Sequence, residues 1–502
     1  MYKNGILPLI NPRMHFKGRD IVSIKDFTRD EIDWLVAQAN SFQHRSERRL
    51  LEQRVYRYLF WENSTRTRSS THRAAEILGM DIDGFSGKEG TSVSKNERLR
   101  HTIEMYVNYG ADIIAMRHGL DGSARYAANQ FSIPIINCGD GRNEHPTQAL
   151  LDLATIQRYK GRLDNLTIGV AGDLEYGRTV HSLVTAFRHS FSDVNFLFVS
   201  PLQFGMPEKY KTNPKTGAPF DDFQEVDLEE AVAKSDVLYM TRMQLERITD
   251  PRKVADAMGA VLLTPDHMRC AKDDLIVMHP LPNDAKNPTI HHELDDHQQS
   301  KYFAQAGIGV DMRWTLLAAA LGAIGDDFKG DGWTAPVRSN TVQYEELSTA
   351  STGSTRYHDH AVHSIGNGVV IDHIPKGLGL TLYSRIKQNS DQPGILAENL
   401  HSQSEGRKDL IKIVGAQLDE SQLNMIGVMA PRSRVNIIAD NKVVSKFRVH
   451  VPDHIKGLLE CDNVGCISRA EDEHVTPALN TLSRDPMILE CEYCGEQQRY
   501  DK

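Results

Sequence analysis

No apolar run in this sequence approaches the roughly 20 residues that a helix needs to cross a bilayer. The N-terminus, Met-Tyr-Lys-Asn-Gly-Ile-Leu, lacks a sustained apolar core followed by a small-residue cleavage site. Neither a membrane span nor a secretory leader is expected, and a cytoplasmic location is. Positive charge is also short: 58 Lys and Arg against 67 Asp and Glu leave a formal charge of -9, without the basic face that nucleic acid requires. Any anion that binds must be caught locally. Cysteine is scarce, six in 502 residues, and poorly placed for a disulfide framework. Cys138 and Cys270 stand alone, while Cys461, Cys466, Cys491 and Cys494 crowd together near the end.

A chain of 502 residues exceeds what one hydrophobic core organises, so several domains are expected. Through the first 320 residues helix and strand signals alternate. Thr28 and Glu31 form a capping-box pattern ahead of Ile32, Leu35, Val36 and Ala39 at helical spacing. Short apolar runs at 55–60, 81–85, 111–116, 133–137, 166–171, 194–199, 237–240 and 275–278 read as strands, most of them followed by a polar turn and a helical stretch. That pattern is α/β with parallel sheets. Two such units fit the length, divided near the helix that starts at His145.

From 326 to 361 the texture fades into Gly, Ser, Thr and Asp, which is linker chemistry. After it, 369–374, 410–414, 435–438 and 443–451 read as strands and 375–386 and 421–428 as helical, an α+β arrangement. The tail from 454 has too few apolar residues to fold unaided. Cys461-x4-Cys466 and Cys491-x2-Cys494 supply two thiolate pairs at a spacing that suits one tetrahedral, structural zinc ion per chain. Free or disulfide-bonded thiols are the alternative, disfavoured in a cytoplasmic chain.

Chemistry concentrates at the C-terminal ends of the strands. Ser64-Thr-Arg-Thr-Arg68 follows the 55–60 strand and precedes a helix. There Ser64 and Thr65 can cap the helix, whose N–H groups and dipole favour an anion, and Arg66 adds a planar donor for phosphate oxygens. Arg117-His118 follows the next strand and His145-Pro-Thr-Gln148 another. In the second unit, Gly172-Asp-Leu-Glu-Tyr-Gly-Arg178, Met240-Thr-Arg242-Met-Gln244-Leu-Glu-Arg247 and His279-Pro-Leu-Pro282 take the same positions. Alone, each is an ordinary turn or helix start. Together they bring several arginines to one edge, more cationic charge than a crevice holds without anionic ligands.

Ser-Thr-Arg-Thr-Arg, Met-Arg-His, His-Pro-Thr-Gln, Gly-Arg-Thr-Val-His-Ser, Tyr-Met-Thr-Arg-x-Gln-x-Glu-Arg and His-Pro-Leu-Pro occur here in the order found in aspartate carbamoyltransferase catalytic chains. The chain resembles that family over 15–325. The resemblance implies that Ser64, Thr65, Arg66 and Thr67 bind the phosphate of carbamoyl phosphate. Thr67, Arg117 and His145 would surround its carbonyl oxygen, with Gln148 near the carbamoyl nitrogen. Arg178, Arg242 and Gln244 would hold the carboxylates of L-aspartate, with the backbone carbonyls of Pro280 and Leu281 nearby and Glu62 orienting an arginine. The loop 91–97 matches the family's Ser/Lys loop if one residue is deleted. Ser92 and Lys95 would then join the carbamoyl-phosphate site, and Lys95 the aspartate site, of a neighbouring subunit in a homotrimer or larger homo-oligomer. Arg66, Thr67, Lys95, Arg117 and His145 are the catalytic set so implied. Three residues depart from the enterobacterial-type chain: Asn283 for Arg, Glu175 for Lys and Gly119 for Pro.

Residues 362–498 resemble the regulatory chain of the same enzyme, on Gly368-Val-Val-Ile-Asp-His-Ile-Pro375, Gly406-Arg-Lys-Asp-Leu-Ile-Lys-Ile413, Val435-Asn436 and Val443-Val-Ser-Lys446. The resemblance implies an effector-nucleotide site of the CTP, ATP or UTP type. Lys412 and Lys446 would face phosphates, and Val370, Asp372, Asn436 and Val443 the ribose and base. Without the resemblance, lysines on an alternating strand are a solvated face. His363 and Asn441 differ from the family's acidic residue and Tyr in the base pocket.

The expectation is therefore two parallel-sheet α/β domains of the transcarbamoylase fold, then an α+β nucleotide-binding domain and a small β zinc domain. Its segments are 1–152 for carbamoyl phosphate with helix 303–325 packing back on it, 153–302 for aspartate, 326–361 as linker, 362–453 for nucleotide and 454–502 for zinc. Ornithine carbamoyltransferase is the enzymatic rival, disfavoured by Pro280 where it carries Cys and by Arg242-x-Gln244. A nucleotide-sensing scaffold with a decayed catalytic half is the rival from another class, disfavoured by the intact arginine and histidine motifs.

Overall fold

A computed structural model describes residues 15–41, 49–213, 218–245, 250, 252, 261–339, 341–349, 364–387, 392–402 and 406–500. The chain divides into two compact units, Met1–Pro336 with Cys461–Val475 and Glu492–Gln497, and Val337–Glu460 with Thr476–Cys491 and Gln498–Lys502.

In the first unit α1 (Arg29–Ser41) opens on the expected reciprocal box. Glu31 N donates to Thr28 Oγ1 (3.2 Å) and Thr28 N to Glu31 Oε2 (3.0 Å). Glu31 is wholly buried, which its charge tolerates because Arg19 and His15 pair with it. There follow β1 (Val55–Phe60), α2 (Thr65–Leu78), β2 (Asp81–Ser86), α3 (Leu99–Asn108), β3 (Ile113–His118), α4 (Ser123–Gln130), β4 (Ile135–Asp140) and α5 (Pro146–Lys160). The four strands form a parallel sheet in the order β2-β1-β3-β4. The strands expected at 111–116 and 133–137 lie further along the chain because ladder pairing carries on through the polar residues that end β3 and β4.

Next come β5 (Leu166–Ala171), α6 (Arg178–Ser190), β6 (Val194–Val199), β7 (Phe223–Glu225), α7 (Leu228–Lys234), β8 (Val237–Met240), β9 (Ile276–Met278) and α8 (Tyr302–Ala320). These strands make a second parallel sheet, β7-β6-β5-β8-β9. The 152/153 division falls inside α5, so both halves share that helix. α8 lies against α1, α2 and α5, and Leu35, Leu150, Leu153, Met312 and Leu316 belong to one core. In each sheet a strand is flanked by neighbours that lead away from it in opposite directions, β1 by β2 and β3, β5 by β6 and β8. Crevices open at such switch points, at the carboxyl ends of the strands.

The second unit holds β10 (Tyr344–Glu346), β11 (Gly368–Pro375), α9 (Gly379–Lys387), β12 (Gly394–Ser402), β13 (Gly406–Val414), α10 (Glu420–Met429), β14 (Arg434–Ala439) and β15 (Lys442–Val449). They form one sheet in the order β10-β15-β14-β11-β13-β12. Val369, Ile371, Ile411, Ile413 and Val435 share a core with Leu382 of α9 and Ile426 of α10, so both helices cover one face. Two strands of this sheet were not anticipated. β12 alternates weakly and carries Glu398 and Asn399, and β10 sits inside the expected linker and pairs with Phe447–Val449. Within 326–361 the chain is thus not all tether: at its start Trp333 N also donates to Glu31 Oε1 (3.0 Å). Residues 340 and 350–363, including His363, lie outside the described residues, as do Glu246 and Arg247.

The tail carries β16 (His454–Lys456), β17 (Ala478–Arg484), β18 (Met487–Cys491) and β19 (Gln497–Tyr500), a small sheet in that order. Among the described residues no helix is long and apolar enough to cross a membrane.

Candidate active site

The loop from β1 to α2 sets Ser64 at the helix N-cap with extended φ, ψ of -149°, 117°. The expected capping by Ser64 does not form: among the described residues its side chain makes no cap hydrogen bond. The first-turn N–H groups are left for a ligand, and the helix dipole favours an anion there.

That turn forms one side of a cleft of about 610 Å³, lined also by Arg117 from β3, by His145 and Gln148 at the start of α5, and by Arg178 at the start of α6. Thr241, Arg242 and Gln244 after β8 and His279 to Pro282 after β9 complete the opposite side. The structure therefore brings together Ser64, Thr65, Arg66, Thr67, Arg117, His145, Gln148, Arg178, Arg242, Gln244, Pro280 and Leu281.

Each group is held by its neighbours. Glu62 Oε2 lies 3.4 Å from Arg178 Nη1 and Nη2 and 3.6 Å from Arg117 Nε, so one carboxylate steadies two guanidinium groups. Arg178 Nη1 also donates to Gly141 O at 2.8 Å. Gly139, at φ +110°, lets that arginine pass: a Cβ there would meet its Cζ at 2.9 Å. Asp173 is fully buried and accepts from Tyr176 N (3.0 Å) and Gln244 N (3.2 Å), tying the turn before Arg178 to Gln244. Leu281 N donates to His279 Nδ1 (2.7 Å), which leaves the proton on Nε2, facing Thr289 Oγ1 at 3.3 Å. His279 thus orients the Pro280-Leu281 backbone from behind.

Arg66, Arg117, Arg178, Arg242 and Arg313 all line the cleft. Burial, then Arg242, pushes the Arg66 pKa down from its usual value. His145 is pushed well below the ordinary histidine range by burial first and then by Arg178, Arg313 and Arg117. The imidazole is therefore neutral, able to donate one N–H without being a cation, with Thr67 Oγ1 3.5 Å from Nε2 and Thr147 Oγ1 3.3 Å from Nδ1. A depressed pKa moves protonation to lower pH, so the His145 ring stays neutral through the window in which a histidine ordinarily titrates. Ring carbon chemical shifts of His145 should be flat over that window, and a titration near the ordinary histidine value would contradict this.

Ser92 and Lys95 do not line the cleft of their own chain; they sit exposed in a short 3-10 turn, Ser92–Lys95. Sequence reasoning missed Gln305 and Arg313, both buried on α8 and both lining the cleft. Their signal was two long polar side chains on the buried side of a helix otherwise rich in Ala and Leu. Asn283 faces its own loop: its side chain donates to Ile290 O (2.6 Å) and accepts from Thr289 N (2.9 Å). Glu175 lies 3.5 Å from Arg142, and Gly119 leaves 3.5 Å between a would-be Cβ and Glu62.

In the second unit, strand register aligns Lys412, Val370, Asn436 and Lys446 in a row across β13, β11, β14 and β15. The row is on the face opposite the helix-covered core. Asn436 Nδ2 donates to Val370 O at 3.2 Å, and Val443 pairs with Ile438. Asp372, two residues beyond Val370, is held by Lys408 (2.7 Å) and His373 (3.1 Å). Burial would raise its pKa, but those two partners outweigh it and hold the carboxyl below the usual range. Lys412 is buried, which pushes its pKa down.

The ligand atoms of Cys461, Cys466, Cys491 and Cys494 lie within 4.8 Å of one another, and all four residues are buried. Cys461 Sγ and Cys494 Sγ are 3.6 Å apart, too far for a disulfide and close to the edge of a tetrahedron with metal–sulfur bonds of about 2.3 Å. The donor set fits a thiolate-bound metal.

Four family models match consecutive stretches: the aspartate/ornithine carbamoyltransferase carbamoyl-P binding domain over 19–158 and its Asp/Orn binding domain over 164–320, then the aspartate carbamoyltransferase regulatory chain allosteric domain over 360–450 and its metal binding domain over 453–502. The aspartate carbamoyltransferase catalytic subunit of Thermococcus kodakarensis is 41% identical over 316 residues, 62% of this chain and 100% of that one. Among solved structures, aspartate transcarbamoylase from Trypanosoma cruzi in complex with carbamoyl phosphate and aspartate has a TM-score of 0.56 at 34% identity, covering 62% of this chain and 99% of that one. The catalytic subunit of M. Jannaschii aspartate transcarbamoylase gives 0.53 at 37%, covering 60% and 96%. The chain belongs to the aspartate carbamoyltransferase family and carries that enzyme's catalytic and regulatory domains in one polypeptide.

Proposed function

We propose that the cleft divides the transfer of the carbamoyl group from carbamoyl phosphate to the amine of L-aspartate between two sets of side chains. Ser64, Thr65, Arg66 and the first turn of α2 take the phosphate. Thr67, Arg117 and neutral His145 donate to the carbonyl oxygen as negative charge develops on it, and Gln148 meets the carbamoyl nitrogen. Arg178, Arg242 and Gln244 take the two aspartate carboxylates, with the carbonyls of Pro280 and Leu281 near the amine. The observation that carries this is five arginines in one cleft. Such charge is balanced by a phosphate and two carboxylates. A side-chain nucleophile is not needed once amine and carbonyl are aligned, and the departing phosphate accepts the proton. Purified protein should form N-carbamoyl-aspartate, the step of de novo pyrimidine synthesis; citrulline formed from ornithine instead would overturn the assignment.

The segments 1–152, 153–302, 362–453 and 454–502 would be the carbamoyl-phosphate, aspartate, nucleotide and zinc domains. The row Lys412, Val370, Asn436 and Lys446, with Asp372 and Val443, supports an effector nucleotide of the CTP, ATP or UTP type. The four clustered thiols support a structural zinc ion and a reducing, cytoplasmic setting.

Ser92 and Lys95, exposed and outside their own cleft, are proposed to serve the cleft of a neighbouring subunit in a homotrimer or larger assembly. Lys95→Ala and His145→Ala chains should each be inactive and regain activity when mixed and reassembled. Mixed trimers, verified by mass, that stay as inactive as both parents would rule out sharing.

A further inference from the structure

Asp152 lies on α5 one turn after Gln148 and is completely buried. Its Oδ1 accepts from Gln148 Nε2 (2.9 Å) and Gln305 Nε2 (2.7 Å), and its Oδ2 from the Tyr239 hydroxyl (2.8 Å). Gln305 passes the restraint on: its Oε1 accepts from the backbone N–H of His279 at 2.9 Å. One carboxylate on α5 therefore reaches Tyr239 in β8, the start of the His279-Pro280-Leu281 segment after β9, and the cleft residue Gln148. Burial makes the arrangement stringent, because every donor that loses its acceptor is left unsatisfied.

The amide of Gln148 has two ends. With its NH2 committed to Asp152, its carbonyl oxygen is the end left for the cleft, and an oxygen there is what a carbamoyl NH2 donor requires. Gln305 is likewise fixed, with donor and acceptor ends both used.

We propose that Asp152 is a positioning residue for carbamoyl transfer, setting the amide orientation of Gln148 at the carbamoyl site directly and the His279 to Leu281 backbone at the aspartate site through Gln305. This rests on the proposed roles of Gln148 and of the Pro280 and Leu281 carbonyls. Burial pushes the Asp152 pKa up to about 7, so an assay somewhat above neutrality keeps the acceptor ionised.

The test is steady-state kinetics of carbamoyl-aspartate formation by the full chain and by the variants Asp152→Asn and Gln305→Met, with melting temperatures alongside. Asparagine in place of Asp152 turns an NH2 toward one of the three donors and frees Gln148 to flip. Asp152→Asn should lower kcat and raise KM for carbamoyl phosphate by about tenfold or more. Gln305→Met keeps volume but drops the His279 link, and should raise KM for aspartate several-fold with KM for carbamoyl phosphate within about twofold. A merely structural role predicts lower melting temperatures with both KM values unchanged in the folded fraction, which would overturn the proposal. If Asp152→Asn fails to fold, the selectivity of Gln305→Met decides alone, and an unchanged aspartate KM overturns it. A parent chain that makes no carbamoyl-aspartate would instead sink the site assignment itself.

Discussion

Arg66→Ala should reduce kcat/KM for carbamoyl phosphate by roughly a hundredfold or more, and turnover at saturating carbamoyl phosphate should fall with it. Arg66 stands at the open N-terminus of α2, beside N–H groups that the Ser64 side chain leaves unbonded. A charge-assisted contact to phosphate is worth about 1.5–3 kcal/mol in binding. The loss in rate is larger if the contact tightens as phosphate gains charge on leaving. Relief of crowding offsets a little of this, since Arg242 raises the electrostatic cost of the Arg66 charge. Arg73→Ala is the control: Arg73 lies on the same helix, exposed and paired with Glu76 at 3.2 Å, and its loss should be nearly silent. Near-parental turnover by Arg66→Ala at saturating substrate would show that phosphate binds elsewhere.

Stripping the metal from the four cysteines with a thiol reagent should unfold the tail from 453 onward while the catalytic cleft survives. The tail's apolar support is thin, with Ile455, Ile467, Leu479, Ile488 and Leu489 its main buried aliphatic residues. Below about 40–50 residues such a core does not hold a fold without a staple, and metal–thiolate bonds supply that energy. None of the residues lining the cleft belongs to the tail, so transfer should continue within a few-fold. KM for aspartate should rise modestly. Asn463, between Cys461 and Cys466, donates to Asp121 Oδ2 (2.8 Å), while Asp121 Oδ1 accepts from Arg142 N (2.8 Å), next to the Gly141 carbonyl that holds Arg178. The proposed nucleotide response and higher assembly should be lost with the tail. Metal analysis gives about one ion released per chain on this view, with hydrogen exchange rising in the tail and at the Asp121 and Leu99 amides bonded to it; freshly purified protein without metal would refute it.

The strands at 55–60, 166–171, 194–199 and 237–240, the helix opened by Thr28 and Glu31, the arginine motifs at strand ends and the paired cysteines were legible in the sequence. Each is written locally, as an apolar run, a cap or a ligand spacing. What no window of sequence contains is which distant group satisfies which. Gln305 and Arg313 enter the cleft only because α8 returns to α1, α2 and α5 after the whole second sheet has been built. Ser64 has the chemistry of a cap yet leaves the helix end open. Asn283, which stands where the enterobacterial-type chain has Arg, clasps its own loop. Tyr344–Glu346 carries no strand signal amid linker residues and becomes a strand because β15 offers it an edge. Local chemistry fixed the candidates, and long-range packing, which decides where buried polar atoms find partners, chose among their roles.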